Sequence, residues 1–274
     1  MMKFRYDNAE SSLSQTTITI GAIMKKEYIS EMAWNKIFMF LKTREDVYVE
    51  SEVNCKRFIE AIFWMSRVGA QWRELPEVYG KWNSVFSRFN EWTKKGIWEK
   101  LMDFCIQDPD LEWVMLDATV VRAHPCAAGY KRDSQEKEAL GRSKGGFTCK
   151  IHALVDALGN PLKFILTPGQ CSDVTQGPIL IKDARNASVL ADKGYDCDAF
   201  RKQIYDQNCL PVIPPRSNRK KLIEYDESLY EERYVVECFF SKIKHFRRIF
   251  SRFDKSARNF AAFLSFVGAI IWLR

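Results

Sequence analysis

WVMLDATVVRA, residues 113–123, decides the fold. The run is apolar and β-branched, which suits a strand covered on both faces better than one with a solvated side. Asp117 sits in its middle. A carboxylate inside a buried strand is costly unless it is paired, hydrogen-bonded or bound to a metal, so the rest of the chain has to supply a partner.

Downstream, Phe147–Asp156 and Pro161–Thr167 read as two strands joined by the hairpin turn Ala-Leu-Gly-Asn. Asp173–Ala184 reads as a short helix capped by Ser172 or Asp173. SVLADKGYD, residues 188–196, gives a short strand that ends in Asp192, with Gly194 turning the chain into a helix over about 197–207. An Asp at the carboxyl end of a strand lies where open α/β sheets place their ligands. Asp196 and Asp198 read as caps of the helix that follows. LPVIPP, residues 210–215, is a last strand, set at a sheet edge by its prolines. It runs into a basic loop in which Arg216, Arg219 and Lys220 are candidate DNA contacts. Residues 125–143 read as a polar surface insertion, and the glycine-rich basic loop over 141–146 fits neither nucleotide fingerprint.

The spacing predicts one long helix over Tyr230–Phe250. Tyr230, Arg233, Glu237, Ser241, Lys244 and Arg248 fall on one stripe, while Val235, Val236, Phe239, Phe240, Ile243, Phe246 and Ile249 fill the other side. An ordinary amphipathic helix, with Glu237 answering Arg233 at i−4, gives the same pattern. The charge balance adds weight to a second reading: from Glu237 to Arg274 there are eight Lys or Arg against two acids, which is +6 of the chain's formal +7. A one-sided cationic ridge suits a polyanion, and nucleic acid is the natural candidate.

Upstream, the pattern from Glu27 to Cys105 is helical throughout. Trp82, Val85, Phe86, Phe89 and Trp92 mark the core side of one helix, whose other face offers Lys81, Asn83, Ser84, Ser87, Arg88 and Asn90 to phosphates or base edges. Two helices, a tight turn and a polar second helix make a helix-turn-helix candidate with Lys81 and Arg88 as DNA contacts; a plain helical bundle fits equally well. Asp108-Pro109-Asp110 breaks the pattern and marks a domain boundary. The expected organisation is a polar leader over 1–23, read as disordered, an all-helical DNA-binding domain over 24–108 and a catalytic domain over 109–274. Met24 would serve as well as Met1 for a start.

With 274 residues, 46% of them hydrophobic, the chain has ample material for a packed core. Its eight cysteines are scattered with no CxxC pair, and it has only three histidines, which argues against a zinc site or disulfide framework and for reduced thiols in a cytoplasm. The apolar run Phe260–Leu273 is too short to span a bilayer and reads as a buried C-terminal helix.

The second half therefore reads as a mixed sheet flanked by helices. Asp117, Asp192 and Glu237 could converge at one sheet edge, and three hard oxygen ligands would suit Mg²⁺ or Mn²⁺ rather than zinc. Two such ions can activate an attacking oxygen and stabilise a leaving one in phosphodiester displacement. Spacing alone leaves this triad open.

The run Tyr230, two residues, Arg233, three residues, Glu237, six residues, Lys244 resembles the signature of bacterial insertion-sequence transposases of the DDE class, specifically the insertion sequence 5 family. LDATVVRAH (116–124), GGFTCKIHALVD (145–156), LADKGYD (190–196), IPPRSNRK (213–220) and FDKSARNF (253–260) look like that family's blocks in order, and GAQWRELP (69–76) resembles its N-terminal helical part. The resemblance covers about 24–274. It implies a ribonuclease-H-like fold, assigns Asp117, Asp192 and Glu237 as the catalytic, metal-binding triad with two Mg²⁺ or Mn²⁺ ions, and gives Tyr230, Arg233 and Lys244 a role in holding DNA or the scissile phosphate. The implied reaction is cleavage at the ends of the element and transfer of the freed 3′-hydroxyl to target double-stranded DNA, by subunits that assemble on DNA in the bacterial cytoplasm, at the nucleoid. The same carboxylates would also serve a nuclease that only hydrolyses, and a catalytically dead DNA-binding descendant would keep much of the same sequence.

Overall fold

The computed structural model describes residues 28–49, 51–127, 138–143, 146–220 and 223–274. The expected leader lies outside this set, as do residues 128–137 of the expected insertion and residues 144 and 145 of the glycine-rich loop.

Among the described residues four helices come first: α1 (Glu31–Lys42), α2 (Glu52–Val68), α3 (Trp82–Lys94) and α4 (Ile97–Cys105). The Ser30 and Ser51 hydroxyls start the first two by accepting the N–H groups of Ala33 and Asn54. Gly69 ends α2 at φ 68°, where a side chain would be strained and its Cβ would lie 3.0 Å from Cβ of Arg247. Residues 69–81 do not make the tight turn that the sequence suggests. They run through two 3-10 turns, Trp72–Glu74 and Glu77–Tyr79. Trp72 explains the detour, because its ring packs on Phe86, Phe89 and Phe263 with centroids 5.1, 5.4 and 6.0 Å away, which makes the connection part of the core.

The sheet contains β1 (Trp113–Ala123), β2 (Gly141–Ser143), β3 (Gly146–Val155), β4 (Pro161–Pro168), β5 (Ser188–Leu190), β6 (Leu210–Val212) and β7 (Ser251–Arg252). Its main order is β4-β3-β1-β5-β6, with β2 on one end of β3 and β7 on one end of β1. β3 runs antiparallel to both of its long neighbours, and β1, β5 and β6 are parallel. This is the ribonuclease-H-like arrangement, with β1 central and β6 at the edge, as the missing N–H of Pro211 favours. Asp173–Ala184 is less regular than the expected helix: a 3-10 turn at Asp173–Thr175 precedes the single turn α5 (Gly177–Leu180).

Alternation along β1 and β3 divides the apolar residues between two faces. Val114, Leu116 and Leu154 pack under α5 and α6 (Asp198–Asp206) with Leu180, Val189, Phe200 and Ile204. Met115, Val121, Ile151, Ala153 and Val155 face the other way, onto a larger core shared with α1–α4 and the last helix, α10 (Ala257–Trp272). Phe263 and Phe266 of α10 reach Phe89 and Trp98 at 4.5 and 5.5 Å, so the N-terminal helices and the sheet bury one continuous apolar mass. No helix among the described residues is long and apolar enough to cross a membrane.

The single helix expected over Tyr230–Phe250 is three pieces: α7 (Glu227–Glu231), α8 (Tyr234–Lys244) and α9 (Arg247–Phe250). The backbone stays right-handed through Glu232 and Arg233. At Phe246 it becomes extended (φ −85°, ψ 104°), and the buried Phe246 ring packs edge-on against Phe63. That break rotates the chain, and Arg248, expected on the cationic ridge, is turned into the core.

Candidate active site

Asp117 lies midway along β1, paired with Ala153 of β3, on the face that packs against α8. Its Oδ1 accepts the Ala118 N–H at 2.7 Å, and its Oδ2 accepts Nη1 of Arg233 at 3.0 Å. Burial pushes its carboxyl above the ordinary range. The Ala118 N–H and the Arg233 charge pull the other way, while the negative charge of Asp192 adds to the effect of burial. Asp192 follows β5, the parallel neighbour of β1, and caps the 3-10 turn Lys193–Tyr195 by accepting the Gly194 N–H at 2.9 Å. A Cβ on residue 194 would sit 2.9 Å from Oδ1 of Asp192, so a side chain there would displace the carboxylate.

Glu237 stands on the first turn of α8, largely exposed, with Oε1 2.5 Å from Nη2 of Arg233. One guanidinium, 116 residues on from Asp117 in sequence, thus joins the carboxylates of β1 and α8. Although burial disfavours its charge, the nearby Asp117, Tyr230 and Glu237 hold the Arg233 proton more tightly than usual. Among the described residues, no three His, Cys, Asp or Glu side chains are gathered closely enough to hold a metal ion in this conformation. The donors nevertheless suit a hard divalent cation: they are carboxylate oxygens, and a cationic group already bridges two of them.

The expected DNA contacts divide. Tyr230 is half-buried, edge-on to Tyr225, with the Arg233 guanidinium 5.9 Å from its ring centre. Lys244 is partly exposed at the end of α8, and Lys81 and Lys220 are exposed. Arg248 does not join them. It is 3% exposed, bound to Asp254 through Nε and Nη2 at 3.0 and 2.9 Å, donates to the Ala70 carbonyl and lies over Phe263. Arg88 lies against both the Phe58 and Trp92 rings, 4.5 and 4.9 Å from their centres, with Nη2 3.2 Å from the Cys55 sulfur. Arg216 and Arg219 direct their guanidinium groups at carbonyls and carboxylates of the protein itself. Asp196, expected as a helix cap, is the acceptor for much of this; α6 has no side-chain cap, and Asp196 is 4% exposed among arginines. Its one local clue is Arg201, which follows at i+5.

A ribonuclease-H-like sheet with an Asp in its central strand, a second Asp at the end of the neighbouring strand and a Glu on the packing helix defines the DDE class of proteins. The chain belongs to the family described as "Transposase DDE domain", which matches residues 109–272. Residues 29–102 match a second family, "Putative transposase of IS4/5 family". A "Putative transposase for insertion sequence element IS6501" from Brucella ovis is 38% identical over 129 residues, 46% of this chain and 99% of that protein. A "Putative transposase for insertion sequence element IS402" from Burkholderia cepacia is 37% identical over 128 residues, 42% of this chain and 58% of its own length. Among solved structures, a piggyBac transposase in a synaptic complex with hairpin DNA aligns with TM-score 0.42 and 13% identity, over 71% of this chain and 49% of that one. The chain therefore spans about half the length of that transposase.

Proposed function

We propose that this chain cuts DNA at the ends of an insertion sequence and joins the freed 3′-hydroxyl ends to target DNA, with Asp117, Asp192 and Glu237 as its catalytic carboxylates. The observation that carries the reading is the single Arg233 guanidinium bonded to both Asp117 and Glu237, with the Asp192 charge felt at Asp117. In the first step a water oxygen bonds to phosphorus as the bond to the 3′-oxygen breaks, and the water proton ends on that oxygen. In the second, the 3′-hydroxyl attacks a target phosphate, its P–O3′ bond breaks and the proton passes to the departing target 3′-oxygen. Mg²⁺ or Mn²⁺ held by the three carboxylates, two ions per site, would supply the activation of the attacking oxygen and the stabilisation of the leaving one.

The chain's own groups have separate tasks. Asp117 is held by its strand and by the Ala118 N–H, whereas Glu237 is exposed and held, among the described residues, by Arg233 alone, so that it reorients when Arg233 turns to the phosphate. Arg233 is placed to exchange a carboxylate for a phosphate oxygen, and Tyr230, Lys244, Lys220 and Lys81 offer further contacts to the DNA backbone. Residues 24–108 would contribute DNA binding and 109–274 the chemistry, acting on double-stranded DNA in the cytoplasm, at the nucleoid. Two ends must meet, so two or more copies would assemble.

The test is cleavage and joining with the purified chain, a duplex carrying the element's terminal repeat and a divalent ion. Asp117→Asn, Asp192→Asn and Glu237→Gln each abolish both products while leaving repeat binding intact. Undiminished cutting by Asp117→Asn and Glu237→Gln overturns the assignment; cutting without joined products identifies a hydrolytic nuclease.

A further inference from the structure

Among the described residues, the Asp192 carboxylate makes no hydrogen bond or ion pair with another element: it bonds to the N–H two residues on, inside its own turn. The turn is held from outside by the loop after β6. Arg216 donates from Nε and Nη2 to the carbonyls of Lys193 and Gly194 at 3.2 and 2.6 Å. Its main-chain N–H donates to Oδ2 of Asp196 at 2.8 Å. Asp196 also accepts Nε and Nη2 of Arg219 at 2.7 and 2.9 Å and Nε of Arg201 at 2.7 Å. Arg201 in turn donates to the Ile213 carbonyl at 2.6 Å, tying α6 to the end of β6. The turn that carries Asp192 is therefore bolted to the residue 213–219 segment through one buried carboxylate and one exposed guanidinium.

The geometry points to Arg216, with Asp196 as its anchor, as a positioning residue for Asp192: it sets the turn in which the second carboxylate of the triad is presented, and it does so from the protein side rather than by holding DNA. The inference rests on the reading of Asp192 as a metal ligand. Groups that orient a metal's ligands matter nearly as much as the ligands, because a carboxylate displaced by a fraction of an ångström no longer completes the coordination. An arginine whose Nε and Nη2 donors are already spent on carbonyls has a different task from a free phosphate clamp. Arg216 is exposed, so its replacement spares the core, whereas Asp196 is buried among arginines and its loss would risk the fold.

Four variants of the full chain decide the matter: Arg216→Ala, Arg216→Lys, Lys220→Ala and Asp192→Asn. The readouts are Mn²⁺ affinity from the spin-resonance signal of the free ion, affinity for the terminal-repeat duplex without metal, cleavage at saturating duplex, and amide exchange over residues 191–197. Arg216→Ala is expected to weaken Mn²⁺ binding or saturated cleavage by about 10- to 100-fold, the range for lost outer-shell support, with faster exchange in 191–197 and duplex affinity within about threefold of the parent. Arg216→Lys keeps the charge but loses the planar fork that spans two carbonyls, and is expected to recover little. Lys220→Ala is expected to weaken duplex binding without faster exchange in 191–197. If Arg216→Ala loses duplex affinity and Arg216→Lys restores it, the residue is a DNA contact and the inference fails; unchanged metal binding, cleavage and exchange also overturn it. Full activity in Asp192→Asn would instead overturn the triad itself, whatever Arg216 does.

Discussion

Arg233 holds Asp117 at 3.0 Å, and it is the only bonded partner among the described residues that reaches this carboxylate from outside its own strand. The pair answers the demand set by an acid in a buried strand, and it does so with a residue that also holds Glu237. Burial still wins at Asp117, whose carboxyl lies above the ordinary range despite Arg233. An acid with a raised native value stabilises the fold below its unfolded value and loses that contribution as pH rises through the native one. Ionising Asp117 therefore costs stability, as charging active-site groups often does.

Asp117→Asn tests this directly. The variant lacks the titration, so its melting temperature relative to the parent is expected to be higher at pH 7 than at pH 4, while its cleavage is lost. Melting curves of the two proteins at both pH values check it. A difference that is constant with pH, or larger in acid, contradicts the account.

His152 makes the opposite case behind the same sheet. It is fully buried on β3, with Nε2 2.7 Å from the Thr167 hydroxyl and Nδ1 3.6 Å from Oδ1 of Asp173, beside Lys150. Burial lowers its pKa from 6.5 to about 4; Asp173 opposes that shift and Lys150 adds to it. A depressed base contributes stability that is present above pH 6.5 and lost as pH falls through the native value. The full loss is about 3 kcal/mol from the size of the shift. The parent should therefore lose stability steeply between pH 6.5 and 4, and His152→Gln should show a shallower slope over that window. Parallel acid melts for the two proteins would rule His152 out as the cause.

Strand β1 was legible because a continuous apolar run has few other fates, and the pairing of β3 with β4 follows from one hairpin. Asp192 was legible because a strand that ends in Asp before a Gly turn has a recognisable geometry, and Arg233 with Glu237 because i to i+4 neighbours meet on a helix. The break at Phe246 was not. Apolar residues keep helical spacing straight through it, and only the packing of Phe246 on Phe63, a contact from another part of the chain, shows where the helix stops. Asp196 was misread for a similar reason: local rules see a cap, while Arg216 and Arg219 arrive only after a further helix and strand.

Arg248 and Lys244 carry the same charge four residues apart and should respond in opposite ways. Arg248 is buried against Asp254, itself 7% exposed, so Arg248→Ala leaves a buried carboxylate without its partner. Breaking such a pair costs about 3–5 kcal/mol, which for a chain of this size lowers the melting temperature by many degrees. The protein that remains folded should bind the terminal-repeat duplex as the parent does. Lys244 is partly exposed and makes no ion pair among the described residues, so Lys244→Ala should leave stability within about 0.5 kcal/mol. Its loss should instead weaken duplex binding and reduce the slope of log affinity against log salt by about one, the mark of a lost phosphate contact. Melting curves and a salt titration of duplex binding measure both effects. A stable Arg248→Ala with a shallower salt slope would return Arg248 to the DNA-facing ridge and show that the break at Phe246 does not exist in solution.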